Sequence, residues 1–225
     1  MLMLSGKVLC TTGLLAEARI ARAAGFATVV GGGNRARTAA LVENAVKHAS
    51  CLVSFGIAGG LAPQLRAGDV VVSAEVLSDC ERWQAEEAFR ARVAELTAAI
   101  DAIAGPVLGT SRIMASTDEK RRTWMETGAL AVDLESDVVA RAACSARIPF
   151  VVVRTIADTA YRALPPAALI PLAENGTPKL ASVLASVLRR PRQVAALVGL
   201  ARETRAALTA LALPARALHG LVAAA

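Results

Sequence analysis

The chain has 225 residues, of which 55% are hydrophobic, 3% aromatic and 20% charged. A chain of this length and composition can bury a sizeable core, which excludes a disordered protein, a collagen and a disulfide-stapled miniprotein. The low aromatic content counts against a single-stranded nucleic-acid binder, because such proteins stack bases on aromatic rings. The net charge of +6 comes from scattered arginines, and it fits a phosphate-bearing ligand or an anionic membrane face but gives no nucleic-acid footprint.

Cysteine spacing and hydropathy indicate a reduced, cytoplasmic protein. The four cysteines are widely spaced and form no CxxC pair, at Cys10, Cys51, Cys80 and Cys144. They have no neighbouring histidine cluster, so the sequence predicts no metal site. The apolar start, Met1–Gly6, is interrupted by Lys7 with no positive segment before it, which predicts no signal peptide. The longest uncharged stretch, Ala49–Leu65, is broken by glycines and Pro63, so we expect no transmembrane helix.

Apolar β-branched runs alternate with helical patterns along most of the chain. The first half predicts, in order, strand Lys7–Thr12, helix Leu15–Ala24, strand Ala27–Val30, helix Arg37–His48, strands Ser50–Gly56 and Asp69–Leu77, and helix Glu81–Ile103. The second half predicts strand Pro106–Met114, helix Thr117–Glu126, strand Ala129–Leu134, helix Ser136–Ala146, strand Pro149–Ile156, and helices Thr177–Arg189 and Pro191–Leu213. This alternation predicts a three-layer α/β/α sandwich with a mixed, largely parallel central sheet and a helical C-terminal extension.

The pattern indicates one domain, without repeats or a low-complexity linker. We expect residues 1–190 to form this domain and residues 191–225 to form the helical extension. The extension is rich in alanine, leucine and arginine. Two interpretations stay open for it: an ordinary packed helical region, or a basic amphipathic region at a membrane surface.

Polar residues at the predicted strand ends are candidate ligand-binding groups, because ligands gather there in open α/β sheets. Gly31–Arg35 fits either an anion cradle or a tight strand-to-helix turn. Glu135 starts a helix and suits the two vicinal hydroxyls of a ribose. Asp158 is either a helix cap or an acid beyond its strand. Arg154 lies within that strand and is costly to bury unpaired, so we expect Asp158, on the same face by alternation, to be its partner.

Several ordered segments together resemble one enzyme superfamily. Ser54–Leu61, Arg66–Ser73, Val132–Ser136 and Ile148–Asp158 resemble the signature of the purine nucleoside phosphorylase and methylthioadenosine/S-adenosylhomocysteine nucleosidase superfamily. The length and the arginine-rich C-terminal region are most similar to its hopanoid-associated phosphorylase branch. That resemblance implies an enzyme that releases adenine from adenosylhopane.

The resemblance also implies roles for individual residues. Glu135 would hold the ribose 2′- and 3′-hydroxyls, Asp158 would protonate purine N7 as general acid, and Arg154 would orient Asp158. The other residues of the implied base and sugar pocket are Ile57, Ala58, Gly59 and Leu134. The implied partners are a nucleoside with an apolar 5′ substituent and further copies of the chain, in a dimer or larger oligomer. The implied location is cytoplasmic, and peripheral contact with the inner face of the membrane stays open. Nucleic acid is not among the implied partners.

Phosphorolysis and hydrolysis are both compatible with the resemblance. Hydrolytic relatives keep glutamates after the first strand, of which only Glu17 remains here, and we expect it to be displaced from the water-activating position. Glycines and arginines that suit phosphate are available at Gly13, Arg19, Gly33 and Arg35. The sequence therefore favours phosphorolysis, with inorganic phosphate as co-substrate and no cofactor, over hydrolysis that uses Glu17. A non-catalytic module that binds a nucleoside or a lipid is a third hypothesis.

Overall fold

The computed structural model describes residues 7–222, so Met1–Gly6, where we predict no signal peptide, and the last three residues of the extension lie outside it. The strands are β1 Lys7–Thr12, β2 Ala27–Val30, β3 Ala49–Gly60, β4 Val70–Ser73, β5 Glu75–Leu77, β6 Arg82–Gln84, β7 Ile103–Ala104, β8 Val107–Gly109, β9 Ala131–Asp133 and β10 Phe150–Asp158. The helices are α1 Leu15–Ala23, α2 Arg35–Val46, α3 Glu87–Thr97, α4 Thr117–Thr127, α5 Ser136–Ala146, α6 Leu180–Arg189, α7 Val194–Ala210, α8 Ala212–Ala217 and α9 His219–Val222. Two short 3₁₀ segments are Pro166–Leu169 and Pro191–Gln193.

The predicted three-layer α/β sandwich with a mixed sheet is confirmed. Strands β2, β1, β3 and β10 run parallel at its centre, and β4 pairs antiparallel with β10. All residues of β10 are buried. Arg154 donates a hydrogen bond to Ser136 at the start of α5, whereas Thr155 donates one to the carbonyl of Ala207 in α7. Because neighbouring strand residues point to opposite faces, α5 and α7 cover opposite sides of the sheet.

The predicted long helix Glu81–Ile103 is wrong. Its first residues form β6, which pairs antiparallel with β5, and its last residues enter β7. Only the central part, α3, is helical. Pairing in the sheet buries Trp83 and outweighs the helical propensity of this segment.

The third strand is longer than predicted. It continues through the glycine-rich segment to Gly60, and its last residues pair with β9. The segment beyond the predicted end at Gly56 is therefore sheet, and its glycines bring the backbone close to side chains of other elements.

The C-terminal helices pack on the sheet and on α1. Thr155 Oγ1 donates a 2.9 Å hydrogen bond to the Ala207 carbonyl, and Leu211 and Leu218 are fully buried. Nδ1 of the His219 ring lies 2.9 Å from the Ala24 carbonyl oxygen. Within residues 7–222, no helix is both long enough and apolar enough to cross a bilayer.

Candidate active site

A cavity of about 870 Å³ lies where β1, β3, β9 and β10 end. Its wall contains four carboxylates, from Glu17, Asp133, Glu135 and Asp158. All the pocket residues that the resemblance implies also line it, namely Ile57, Ala58, Gly59 and Leu134. Such a concentration of acidic groups in one concave site is typical of acid–base chemistry.

Glu17 is buried in this wall and is held by backbone amides. Its Oε2 accepts hydrogen bonds from the N–H groups of Gly13 (3.0 Å) and Leu14 (2.7 Å), and its Oε1 accepts one from Ile57 (2.8 Å). Burial raises the pKa of Glu17 to about 7 despite these donors. A carboxylate accepts about four hydrogen bonds, so one lone pair remains for a water molecule. The side chain is thus part of the cavity wall.

Glu135 lies close to Glu17, across Gly13. Its Oε1 accepts hydrogen bonds from Thr38 Oγ1 (2.9 Å) and from the Gly33 amide (3.2 Å). A methyl group added at Gly13 would lie 3.3 Å from Glu135 Oε2, so this glycine keeps that oxygen uncovered. Burial raises the pKa of Glu135, because the charged form loses water. Oε2 is thus free to accept a hydrogen bond from a ligand.

Glycines also make room for the other two candidate carboxylates. A methyl group added at Gly56 would lie 2.6 Å from Glu17 Oε1, and one at Gly59 would lie 3.2 Å from Asp158 Oδ2. The first distance is shorter than real contacts allow, and the second requires a small shift. The glycine-rich end of β3 therefore serves to seat carboxylates beside the strand.

Arg154 pairs with Asp133 and not, as predicted, with Asp158. Its Nε donates to Asp133 Oδ2 over 2.7 Å, and its other nitrogens donate to Ser54, Ser136 and the Val153 carbonyl. The register of β10 on β3 shifts between Ile156 and Asp158, where an extra residue forms a bulge. A bulge breaks the alternation of side chains, which is why parity gave the wrong partner.

The Arg154–Asp133 pair is a buried ion pair within a closed network. Burial opposes ionisation of Asp133, but the charge and hydrogen bond of Arg154, with Ser136 and backbone donors, outweigh it and lower its pKa. We therefore expect Arg154→Met to destabilise the protein by about 3–5 kcal/mol, since it leaves a buried carboxylate uncompensated. The free energy of unfolding in urea measures this effect.

The exposed pair Arg92–Glu95 gives the matched control for that experiment. Arg92→Met should change the free energy of unfolding by less than about 1 kcal/mol, because exposed ion pairs contribute little. An Arg154→Met variant as stable as Arg92→Met would contradict the structural role of the network.

Asp158 is bound by a lysine that the sequence analysis did not single out. Lys120 on α4 is fully buried, and its Nζ donates to Asp158 Oδ2 and to the carbonyls of Thr159 (2.9 Å) and Arg162 (3.1 Å). Three acceptors thus satisfy the ammonium group. Burial raises the pKa of Asp158, while Lys120 opposes this shift. Asp158 is therefore held in the cavity wall by a buried ammonium group.

Comparison with known proteins identifies the family of the chain. The family model of the phosphorylase superfamily matches residues 7–190, which is most of the chain. The chain belongs to the phosphorylase superfamily. It is an enzyme of the nucleoside phosphorylase or nucleosidase type, which sets aside the non-catalytic module.

Solved structures share the fold of this superfamily member along nearly its whole length. The 5′-methylthioadenosine/S-adenosylhomocysteine nucleosidase of Neisseria meningitidis, solved with methylthio-immucillin-A, has 16% identity and a TM-score of 0.67, and the match covers 96% of this chain and 100% of that one. The S-adenosylhomocysteine nucleosidase of Streptococcus pyogenes has 17% identity and a TM-score of 0.65, with 94% and 97% covered. The futalosine hydrolase of Helicobacter pylori has 14% identity and a TM-score of 0.65, with 93% and 97% covered.

The four residues expected to bind phosphate are largely engaged elsewhere in the enzyme. The amides of Gly13 and Gly33 already donate to Glu17 and Glu135. Arg35 lines the cavity, but it forms an ion pair with Asp137 and donates to the carbonyls of two further residues. Arg19 is exposed and is not part of the cavity wall. The described part of the wall contains three arginines, Arg35, Arg112 and Arg154, and each of them forms an ion pair with a carboxylate.

Two residues of the enzyme's site were missed from the sequence for different reasons. Asp133 lies in the same motif as Glu135, so its position carried a usable signal. Lys120 lies on an amphipathic helix among other charged residues, and nothing in the sequence distinguishes it from a solvated lysine. Among residues 7–222, no group of three or more histidine, cysteine, aspartate or glutamate side chains is arranged to hold a metal ion.

Proposed function

We propose that this enzyme hydrolyses the N-glycosidic bond of a purine nucleoside and releases adenine, with Glu17 as the base that activates water. The observation that carries this proposal is the buried Glu17 carboxylate in the cavity wall, beside Glu135. It accepts three hydrogen bonds, which leaves one lone pair to accept a hydrogen bond from water. A pKa near 7 suits a group that takes a proton from water at neutral pH. The nucleosidases and the hydrolase among the structural neighbours also favour hydrolysis.

In this proposal the opposite side of the cavity handles the base. Asp158 donates a proton to purine N7, and the electron pair of the breaking C–N bond moves into the purine. Lys120 keeps Asp158 in place, because its three N–H groups bind Asp158 and the carbonyls of Thr159 and Arg162. Glu135 accepts hydrogen bonds from the ribose 2′- and 3′-hydroxyls, and Leu134 packs against the sugar. The water deprotonated by Glu17 then adds its oxygen to C1′ of the cationic ribosyl group.

An apolar 5′ substituent on the substrate is supported by the composition of one cavity wall. The segment after Asp158 contributes only aliphatic side chains and a proline there, namely Leu164, Ala168, Leu169, Ile170, Pro171 and Leu172. A wall of this kind favours alkyl groups, since burying them removes apolar surface from water. Adenosylhopane, implied by the resemblance to the hopanoid-associated branch, is the substrate that we propose. An oligomeric assembly and a cytoplasmic location follow from the same resemblance and stay predictions.

Phosphorolysis is the second candidate for the same site. Gly33 and Arg35 both line the cavity, and the Arg35 side chain is 30% exposed there. A phosphate ion would have to take the Arg35 guanidinium from Asp137 and approach Glu17 and Glu135. This repulsion between like charges is why we place hydrolysis first.

Adenine release with and without phosphate tests the proposal. We expect purified enzyme to release adenine from adenosylhopane at the same rate in phosphate-free buffer and in millimolar phosphate, and to yield the free ribosyl product. Mass spectrometry of that product distinguishes it from the ribosyl 1-phosphate. Turnover that requires phosphate and yields the phosphate ester would establish phosphorolysis instead. Absence of adenine under both conditions would refute the proposed substrate.

A further inference from the structure

Helix α6 presents an unpartnered apolar stripe. Leu180, Leu184 and Leu188 recur every four residues on one face and are 75%, 60% and 75% exposed. No residue of the helix is buried. A helix with this pattern normally buries its apolar face, so the stripe indicates that something outside the described fold covers it.

The chain around this helix is basic and lacks acidic residues. No aspartate or glutamate occurs between Glu174 and Glu203. The cations of this stretch are Lys179, Arg189, Arg190, Arg192 and Arg202. Lys179 directly precedes the helix, and Arg189 and Arg190 end it, all of them exposed. Exposed leucines with flanking cations match the chemistry of an anionic lipid surface.

We propose that Leu180, Leu184 and Leu188, with Lys179 and Arg189–Arg192, form a docking surface for an anionic phospholipid bilayer. The leucines enter the boundary between head groups and acyl chains, and the cations contact the anionic head groups. A second copy of the chain fits this surface less well. In a two-fold contact along α6, the cations at the helix ends would face cations of the other copy in either helix orientation, without a carboxylate from the same stretch.

A buried glutamine connects the docking surface to the cavity wall. Gln193 Oε1 accepts a 3.0 Å hydrogen bond from the Ala167 amide, in the 3₁₀ segment that lines the cavity. Its Nε2 donates to the carbonyl and the hydroxyl of Ser186, in α6, over 2.8 Å and 3.1 Å. The aliphatic wall and the docking surface are thus held in one arrangement. Docking through α6 would bring the apolar side of the cavity to the membrane.

This connection deepens the proposed function and rests on it in one respect only. If the substrate carries a large apolar 5′ substituent, that group lies in the bilayer and reaches the cavity along the wall at Leu169–Leu172. The docking of α6 itself requires no catalysis. Binding and turnover can therefore be tested separately.

Liposome flotation of the full chain tests the docking surface. The protein should float with vesicles of phosphatidylcholine containing phosphatidylglycerol and remain unbound with phosphatidylcholine alone. Changing Arg189 and Arg190 together to serine should lower the partition coefficient about 30-fold, because each cation near an anionic surface contributes about 1 kcal/mol to binding. Changing Leu180, Leu184 and Leu188 together to serine should lower it further.

Leu213→Ser is the matched control, because Leu213 is 55% exposed on α8, within the C-terminal extension. It should float like the wild type, and all variants should keep the wild-type melting temperature and equal turnover of a soluble nucleoside with a short 5′ group. The proposal fails if the wild type does not float, or if Leu213→Ser abolishes binding while the triple serine variant does not. It also fails if the wild type is a dimer that the triple variant dissociates. Loss of turnover in every protein, with flotation intact, would refute the proposed function and leave the docking surface standing.

Discussion

The variant Asp158→Asn is expected to lose about 10²- to 10⁴-fold in kcat for purine release, which is the usual contribution of a general acid. Asparagine fills the same space but has no acidic proton to give to N7 of the departing base. The measurement is adenine release at saturating substrate. Binding of a nucleoside analogue should change far less than kcat, because the variant removes an interaction that forms in the transition state.

The buried lysine beside Asp158 requires a dedicated control. Asp158→Asn leaves the Lys120 ammonium in the interior without its carboxylate, so the variant should also lose stability. The double variant Asp158→Asn/Lys120→Met removes both charges and should recover part of this stability with no recovery of kcat. Asp118→Asn, an exposed position on the same helix, should behave as the wild type. A folded Asp158→Asn protein within tenfold of wild-type kcat would exclude the acid role.

The variant Glu17→Gln is expected to lower hydrolysis by about 10²- to 10⁴-fold, because the amide cannot remove a proton from water. Glutamine keeps the shape of the side chain, and its carbonyl oxygen can still accept the hydrogen bonds from the Gly13 and Leu14 amides. Its amide nitrogen cannot accept the hydrogen bond from Ile57, so some stability is also lost. The exposed Glu43 on α2 provides the control Glu43→Gln, which should leave the rate unchanged. An undiminished rate in Glu17→Gln would remove Glu17 from the mechanism.

The pH dependence of the reaction tests independently whether Glu17 acts as the base. Burial raises its pKa to about 7, and only the deprotonated form can act as a base. The rate should therefore rise as the pH increases from 5 to about 7, and ionisation of Glu17 should give no further increase above that pH. This rising limb should be absent from the residual activity of Glu17→Gln. A profile that is flat between pH 5 and 8 in the wild type would argue that Glu17 carries no proton in the reaction.

The alternation of strands and helices was predictable because it is written in local periodicity. Strand β1 and helix α5 have the predicted bounds, and β10 differs by one or two residues at each end. The predicted helix Glu81–Ile103 failed because sheet pairing, which is not local, decided the state of its ends. The same holds for the end of β3, where Gly59 and Gly60 pair with a strand distant in the sequence.

In the candidate site, too, local sequence patterns decided some features and contacts between distant residues decided the others. By itself, the sequence determined the family, the strand ends that carry the site, and the presence of Glu135, Arg154 and Asp158 in it. Only the tertiary structure decided which charges pair. A single bulge in β10 separated Asp158 from Arg154, and α4 brought Lys120 to it from 38 positions away in the chain.

The arginine-rich, aliphatic composition also acquired a definite distribution in three dimensions. Arg35 and Arg154 are bound to Asp137 and Asp133, and the cavity that they border is lined mainly by aliphatic side chains and glycines, with four carboxylates among them. Periodicity along the chain records only which face of an element is apolar, so the sequence determined the layers of this protein. The pKa values, the ion pairs and the exposed stripe of α6 depend on burial and on distances between remote residues, and these were decided by packing alone.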